Sequence, residues 1–561
     1  MPLPGPKTAW LPATEVTGDL SAWAARWAGL PEGIGMLDGT DVPIGTQTGD
    51  RDPSRWNMFA RRSRQGLSPA DQRSRQRPVH DHLAGEIPQV SADLLFGQFP
   101  DLLIEPNDRN GLSVTQADAA QDALELITDE SGMADDLLAA AEICAALGGV
   151  YLRVTWDPAL LDVPFVTFWQ PQRVHGTFRQ RRLTAATLTT RLDNPVGPDG
   201  KTRSGVWRHL EVHGDQIIDP ATGALTHIIL NGLYVGDERG LGTECPLDEH
   251  PATATVEPVV YLPADMGMVV HYVPNVRPYR RSPGSPYGRA DISGSEGLLD
   301  ALDRARAGLD RDVDLGQSRI FVPQEALEQN GAGLMGGAGA RGAGRSFNLD
   351  ESVTTLQVDP ADKAAQVTHV MPTIRATEHG LSAVQVMERV VSIAGYAPQT
   401  FGLHIDGRAD TATALNVRKE RTDRTIARKR RYWATEIVAV CRQLLVAYAE
   451  WFDGETARLV VPVAPALAWP EPDTDPAVNA ATALALSQAG AASLKRRVEV
   501  AQPGLRDEEV DAEVAAILAE RAATAPLVPA PAAVPVLAAP SDTPGLYGSQ
   551  IDGEPAAGSA T

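Results

Sequence analysis

The stretch DISGSEGLLDALDRARAGLDRDVDL, residues 291–315, reads as one long amphipathic helix. Leu298, Leu302, Ala305, Leu309 and Val313 fall on one stripe, and Asp300, Asp303, Arg304, Asp310 and Asp314 lie off it. SRIFVP (318–323) then opens a β/loop insertion that contains GAGLMGGAGARGAGR (331–345), a glycine-rich run unable to pack a core. A second helix is predicted over 372–394, with Pro372 at its start and Gly395 at its stop. The loop YAPQTFGLHIDGRADT (396–411) leads into a third, very long helix over Ala412–Trp451, with Trp433, Ile437, Val440, Leu444 and Tyr448 on one face. Helix, β insertion, helix, loop and long helix together set the second half apart.

Outward from this region, the first half alternates helical and β patterns. Residues 1–51 combine a short Trp-bearing helix candidate (21–30) with Gly/Pro/Thr-rich sequence and read as a flexible arm. An Arg-rich stretch, RWNMFARRSRQGLSPADQRSRQR (55–77), reads as a solvated patch or a patch for an acidic neighbour or DNA. VSADLLFGQFPDLLIEP predicts a buried helix ending at Gly97 and a short strand; helices follow over 115–148 with a Gly-Gly stop. VYLRVTW and PFVTFWQPQRV read as strands, and two β-patterned runs flank NPVGPDGKTRSG. Beyond the long helix, ARLVVPV predicts a strand and 475–490 and 506–521 predict helices. The Pro/Ala-rich tail from 522 reads as disordered. The fold class is α+β.

Composition excludes several functions. Lys and Arg number 50 against 72 Asp and Glu, a net charge of −22, so the chain cannot wrap nucleic acid broadly. No stretch is long and apolar enough to span a membrane, and the N-terminus has no leader pattern. Cys144, Cys245 and Cys441 lie far apart, without metal-type spacing, and fit a reducing compartment.

Motifs for chemistry are missing where they are needed. GPDGKT (197–202) lacks the first glycine of a phosphate loop, that position being Pro195, and joins two β runs, so it reads as a hairpin turn. His80 and His82 flank Asp81 without a third ligand. No catalytic, cofactor or metal residue is assigned, and the chain is not expected to be an enzyme. One cationic band does emerge: Arg421, Arg424, Arg428 and Arg431 recur at helical spacing, with Arg418, Lys419, Lys429 and Arg430 beside them. They read either as salt bridges to acidic neighbours or as a positive face toward DNA or an adjacent subunit.

In this order, SADLLFGQFPDLLIE (91–105), LGGVYLRVTWD (147–157), WQPQRV (169–174), HLEVHGDQI (209–217), HYVPNVRPYRRSPGSPYGRADISGSEGLLDALD (271–303), IAGYAPQTFGL (393–403) and ADTATALNVRKERT (409–422) resemble the portal proteins of tailed bacteriophages. The likeness is strongest to those of actinobacterial phages and prophages, and it covers about residues 55–521. It implies an elongated portal fold: an α/β wing (52–290), a first stem helix (291–317), a β-containing clip (318–370) and a returning stem helix (371–394). A tunnel loop (395–411), a long wing helix and strand (412–472), and a helical crown (473–521) would follow. The insert at 331–345 is longer and looser than a clip requires.

The resemblance further implies a twelve-subunit ring at one capsid vertex, in the virion and, during assembly, in the host cytoplasm. Double-stranded DNA, the terminase large subunit, capsid and scaffold proteins and a head–tail adaptor would be its partners, with no membrane and no cofactor. Gln399, Thr400, Phe401, His404 and Arg408 are then the tunnel-loop candidates for DNA, with Arg421, Arg424, Arg428 and Arg431 as the basic face. Stem helices of about 23–27 residues would span about 35–40 Å. The alternatives are another virion ring protein, such as an adaptor or capsid protein, or a nucleotide-hydrolysing packaging enzyme.

Overall fold

In a computed structural model the described residues are 2–29, 81–106, 111–196, 200–218, 223, 225–263, 265–316, 319–323, 353–356, 368–370, 374–403, 412–452, 455–470, 476–502, 505 and 507–524. They form two units, one up to Pro470 and one from Glu471.

The first unit begins with helix α1 (Thr17–Trp27) and continues through α2 (Leu83–Phe96), strand β1 (Asp101–Leu103), α3 (Val114–Ser131) and α4 (Met133–Leu147). A capping box between Ser113 and Gln116 starts α3, and Gly132 in the left-handed region (φ 65°) turns it into α4. β2 (Gly149–Thr155) is the centre of an antiparallel sheet with β3 (Phe165–Trp169) on one side. Then come β4 (Val174–Arg179), β5 (Arg182–Leu192), β6 (Val206–Ile218), β7 (Leu225–Gly236), β8 (Thr243–Cys245) and β9 (Val259–Tyr261). These make one six-stranded antiparallel sheet, β4-β5-β6-β7-β8, with β9 also on β7. A bulge at Gly214 (φ 118°) kinks β6, and a Cβ there would stand 2.5 Å from the Thr184 carbonyl oxygen. β10 (Val270–Pro274) closes the β2 sheet on its other edge.

From here the chain runs along α5 (Glu296–Gly316) into β11 (Arg319–Pro323), β12 (Val353–Leu356) and β13 (Thr368–Val370), which form a sheet of order β12-β11-β13. It returns along α6 (Ala376–Ala394). Asp312 of α5 accepts hydrogen bonds from Arg375 and His379, and Arg306 meets Met387, so α5 and α6 pack antiparallel. After a 3-10 turn at Pro398–Phe401 comes α7 (Ala412–Trp451), 40 residues and thus about 60 Å long. α8 (Glu455–Leu459) follows, then β14 (Ala466–Ala468), which pairs antiparallel with β1. The second unit holds α9 (Pro476–Gln488), α10 (Leu494–Ala501) and α11 (Asp507–Thr524).

The α+β class and most elements follow the sequence patterns, and several expectations are corrected. α5 starts at Glu296, not Asp291, because Asp291 is drawn into the core and Ser293 and Ser295 close turns on Ala290 and Ile292. Its 21 residues and the 19 of α6 give about 31 and 28 Å, shorter than expected. ARLVVPV is no strand: residues 455–459 are helical and the strand lies at 466–468. An unexpected helix, α10, stands between the two predicted near the end.

The supposed arm is docked over its described residues. Trp10 donates to Thr189 at 2.9 Å, Lys7 and Trp10 bond the backbone of Gly242 and Arg239, and Trp23 is fully buried. Arg26 pairs with Asp300 at 2.9 Å, which ties α1 to the start of α5.

Candidate anion-binding face on the long helix

α7 lies along the core through Ile426, Trp433, Ile437, Val440 and Leu444, with the Trp433 ring edge-on to Phe96 at 5.0 Å. Lys429 falls on this same stripe and is fully buried. Its ammonium donates to Asp291 (2.6 Å), Ser91 (2.6 Å) and Tyr396 (2.9 Å). Tyr396 and Asn275 also donate to Asp291, at 2.9 and 2.8 Å. Every polar atom of the pair is thereby engaged, which is the condition for a buried charge to be tolerated. The network joins α2, the approach to α5, the end of α6 and α7 at one point. Lys429 is therefore no part of the outward cationic band in which the sequence placed it, and Arg430 is half-buried over the Trp469 ring (5.1 Å).

Arg421, Arg424, Arg428 and Arg431 are exposed along one side of α7. Salt bridging accounts for little of this band: Arg424 pairs with Glu420 and Arg421 donates to the Ser392 carbonyl. Arg421, Arg424 and Arg428 line a cleft of about 560 Å3 whose other wall carries Arg280 and Arg289. Gly395 sits in that cleft at φ 103°, a conformation glycine accepts, and a Cβ there would stand 2.8 Å from the Thr425 hydroxyl. Arg289 is only 9 % exposed, and its Nε has no hydrogen-bond partner. Burial, and then the neighbouring Arg280, pull its pKa down. Arg431 lines a second cleft, of about 690 Å3, with Arg181, Arg182 and Arg277. There too the Arg277 Nε is buried without a partner. Two cationic clefts thus flank α7.

Of the loop candidates, Gln399, Thr400 and Phe401 form the 3-10 turn, which is held against α7 by a bond from the Ala397 amide to the Thr422 hydroxyl (2.9 Å). Phe401 packs edge-on to Tyr396 at 6.0 Å and Gln399 is half-buried, leaving Thr400 as the exposed one of the three. His404 and Arg408 lie outside the described residues, as do all of 55–77 and the insert 331–345.

GPDGKT falls between β5 and β6, which pair antiparallel up to Leu192 and Trp207, and Val196 bridges Thr202. It leads from strand to strand, as a hairpin does, and not from a strand into a helix as a phosphate loop must. Asp81 accepts a hydrogen bond from Arg306 (3.0 Å), and His82 precedes α2; His80 is outside the described residues. All three cysteines are free, and burial raises the thiols of Cys144 and Cys441, the latter to about 12.

Sequence reasoning missed the Lys429–Asp291 network and Arg289. Lys429 carried a signal, since it recurs with Ile426 and Trp433 at 3–4 spacing. Arg289 carried none.

No family model matches the chain, and no curated protein matches its sequence. Among solved structures, a chain from the virion of a native gene transfer agent particle is similar, at 13% identity, with a TM-score of 0.33. The match covers 78% of this chain and 94% of that one.

Proposed function

We propose that the chain is the portal protein of a tailed bacteriophage: a ring subunit at one capsid vertex, around a channel through which DNA is packaged and ejected. One observation carries the reading. An antiparallel helix pair leaves the α/β body, bears a small sheet at its far end, returns, and passes through a docked turn into a helix of 40 residues. That order fits stem, clip, stem, tunnel loop and wing helix; of the quoted motifs, 271–303 runs into α5, 393–403 ends α6 and forms the turn, and 412–422 begins α7. The pair is also unfinished as a monomer, because Val313, Ile374, Leu381 and Val384 are 37–57 % exposed on it. Identical neighbours would cover such an edge through heterologous contacts that close into a ring.

Charge suits the task. DNA passing through a channel must slide, and a chain with a charge of −22 offers too few phosphate contacts to hold it. The reading includes no catalytic step: ATP hydrolysis belongs to a terminase docked on the clip. Lys201→Ala is therefore expected to leave packaging unchanged, and loss of packaging with that variant favours the nucleotide-hydrolysing alternative. Labelling of the chain in particles is expected to mark a single vertex. Label spread over the whole shell contradicts the portal assignment and favours a capsid role. Deleting 400–409 is expected to spare assembly but lower the DNA retained per particle; normal retention contradicts the loop's role.

A further inference from the structure

Arginines from two parts of the chain converge on the cleft beside α7. Five guanidinium groups, from Arg280, Arg289, Arg421, Arg424 and Arg428, line it with a single carboxylate, Glu420, which Arg424 takes. The guanidinium groups of Arg280, Arg289 and Arg428 make no hydrogen bond or ion pair with the described residues, although the Arg289 backbone bonds Val276 and Asn275. Arg289 is the telling one. It is nine-tenths buried with an orphaned Nε; Arg280 and Arg428 repel it, and Asp291, which attracts it, is already held by Lys429, so a further carboxylate would offset the cost of its burial.

The same chain carries a matching surface. Residues 114–147, the α3–α4 hairpin, contain eight acidic residues and no Lys, Arg or His. Asp118, Asp122 and Asp129 recur at spacings of four and seven on α3, and all three are exposed, as are Glu130 and Asp135. Burial, and then the neighbouring Asp135, raise the pKa of Asp136.

We propose that the cleft receives carboxylates of the α3–α4 hairpin of a second copy of this chain. Because the two surfaces differ, the contact is heterologous, and repetition closes a ring or extends a filament. Duplex DNA fits the cleft less well: Arg289 is recessed, and a single carboxylate side chain reaches it where a phosphate on a wide rod does not. The inference rests on the ring reading and names the contact that would orient one subunit on the next.

A charge swap tests it, read by native mass spectrometry and sedimentation of the full chain at low and rising salt. Arg424→Glu/Arg428→Glu alters only exposed side chains, and it is expected to weaken assembly at least about tenfold. Asp122→Lys/Asp129→Lys is expected to do the same. Mixing the two variants should restore assembly, since each reversed cleft then meets a reversed hairpin in alternation. Arg289→Gln is expected to shift wild-type assembly to lower salt with its melting temperature retained; if it unfolds, the surface pairs still decide.

Assembly of the reversed-cleft variant at the wild-type salt threshold overturns the inference and leaves the ring reading standing. So does unchanged assembly accompanied by lost duplex retention, which would assign the cleft to phosphate. A mixture that stays unassembled also counts against it. A wild-type chain that never assembles removes both readings.

Discussion

At the scale of single residues, Lys429 and Asp291 decide most. Their side chains are 1 % and 0 % exposed, and they hold Ser91, Tyr396 and Asn275 in one network. Lys429→Met strands a buried carboxylate and is expected to cost about 3–5 kcal/mol, seen as a lowered urea midpoint. Adding Asp291→Leu should recover much of that loss, since the uncompensated charge is then gone. A Lys429→Met chain as stable as the parent would contradict the network's role. The pair also shows what one sequence reveals. The 3–4 spacing that put Trp433 and Ile437 in the core put Lys429 there too, yet its charge invites the opposite assignment. Its partner lies 138 positions away, a pairing set by tertiary packing that no local pattern encodes.

At the scale of elements, helices were the most legible because their apolar stripes repeat; α7 spans Ala412–Trp451, as the spacing predicted. Boundaries failed where tertiary contacts overrode propensity, as at Asp291, and where a short apolar run such as ARLVVPV fits helix or strand alike. The six-stranded sheet gathers a feature invisible along the chain. His209 and His213 stand on one face of β6, and burial lowers the pKa of both, as it does for His175 on β4 and His227 on β7. Glu211 sits between His209 and His213 and pairs with Arg153 of β2; burial opposes its ionisation, but Arg153 and His213 hold its carboxyl well below the usual range.

Each of these imidazoles binds its proton more weakly in the folded chain than in the unfolded one. The stability involved is intact above about pH 6.5 and is lost as pH falls below it, while the unfolded chain takes up protons. Melting at pH 5.5 is therefore expected below that at pH 7.5, by about 1 °C for each kcal/mol lost in a unit of this size. His213→Gln should flatten the dependence. A melting temperature indifferent to pH across this range would contradict the assignment. On the helix pair, Leu381→Glu/Val384→Glu is expected to leave the melting temperature of the isolated chain within about 2 °C and to weaken self-association. A large loss of stability would mean that these side chains are already covered within one chain.

At the scale of the whole molecule, two kinds of surface ask for a neighbour: the uncovered apolar edge of α5 and α6, and the arginine cleft of α7. The acidic α3–α4 hairpin is the matching third. Composition makes the chain a poor general binder of DNA, and among the described residues nine arginines line two clefts flanking one helix. The band of arginines was legible in the sequence as a periodic run; its division between partnered and unpartnered groups was not. That division depends on Arg280 and Arg289, which come from a different part of the chain.

Electron microscopy of the purified full-length chain at low salt tests the central claim most directly. The account predicts closed rings with a central hole, cyclically symmetric, that come apart as salt rises. Monodisperse single chains at every concentration and salt, with no rings in particles, would contradict it.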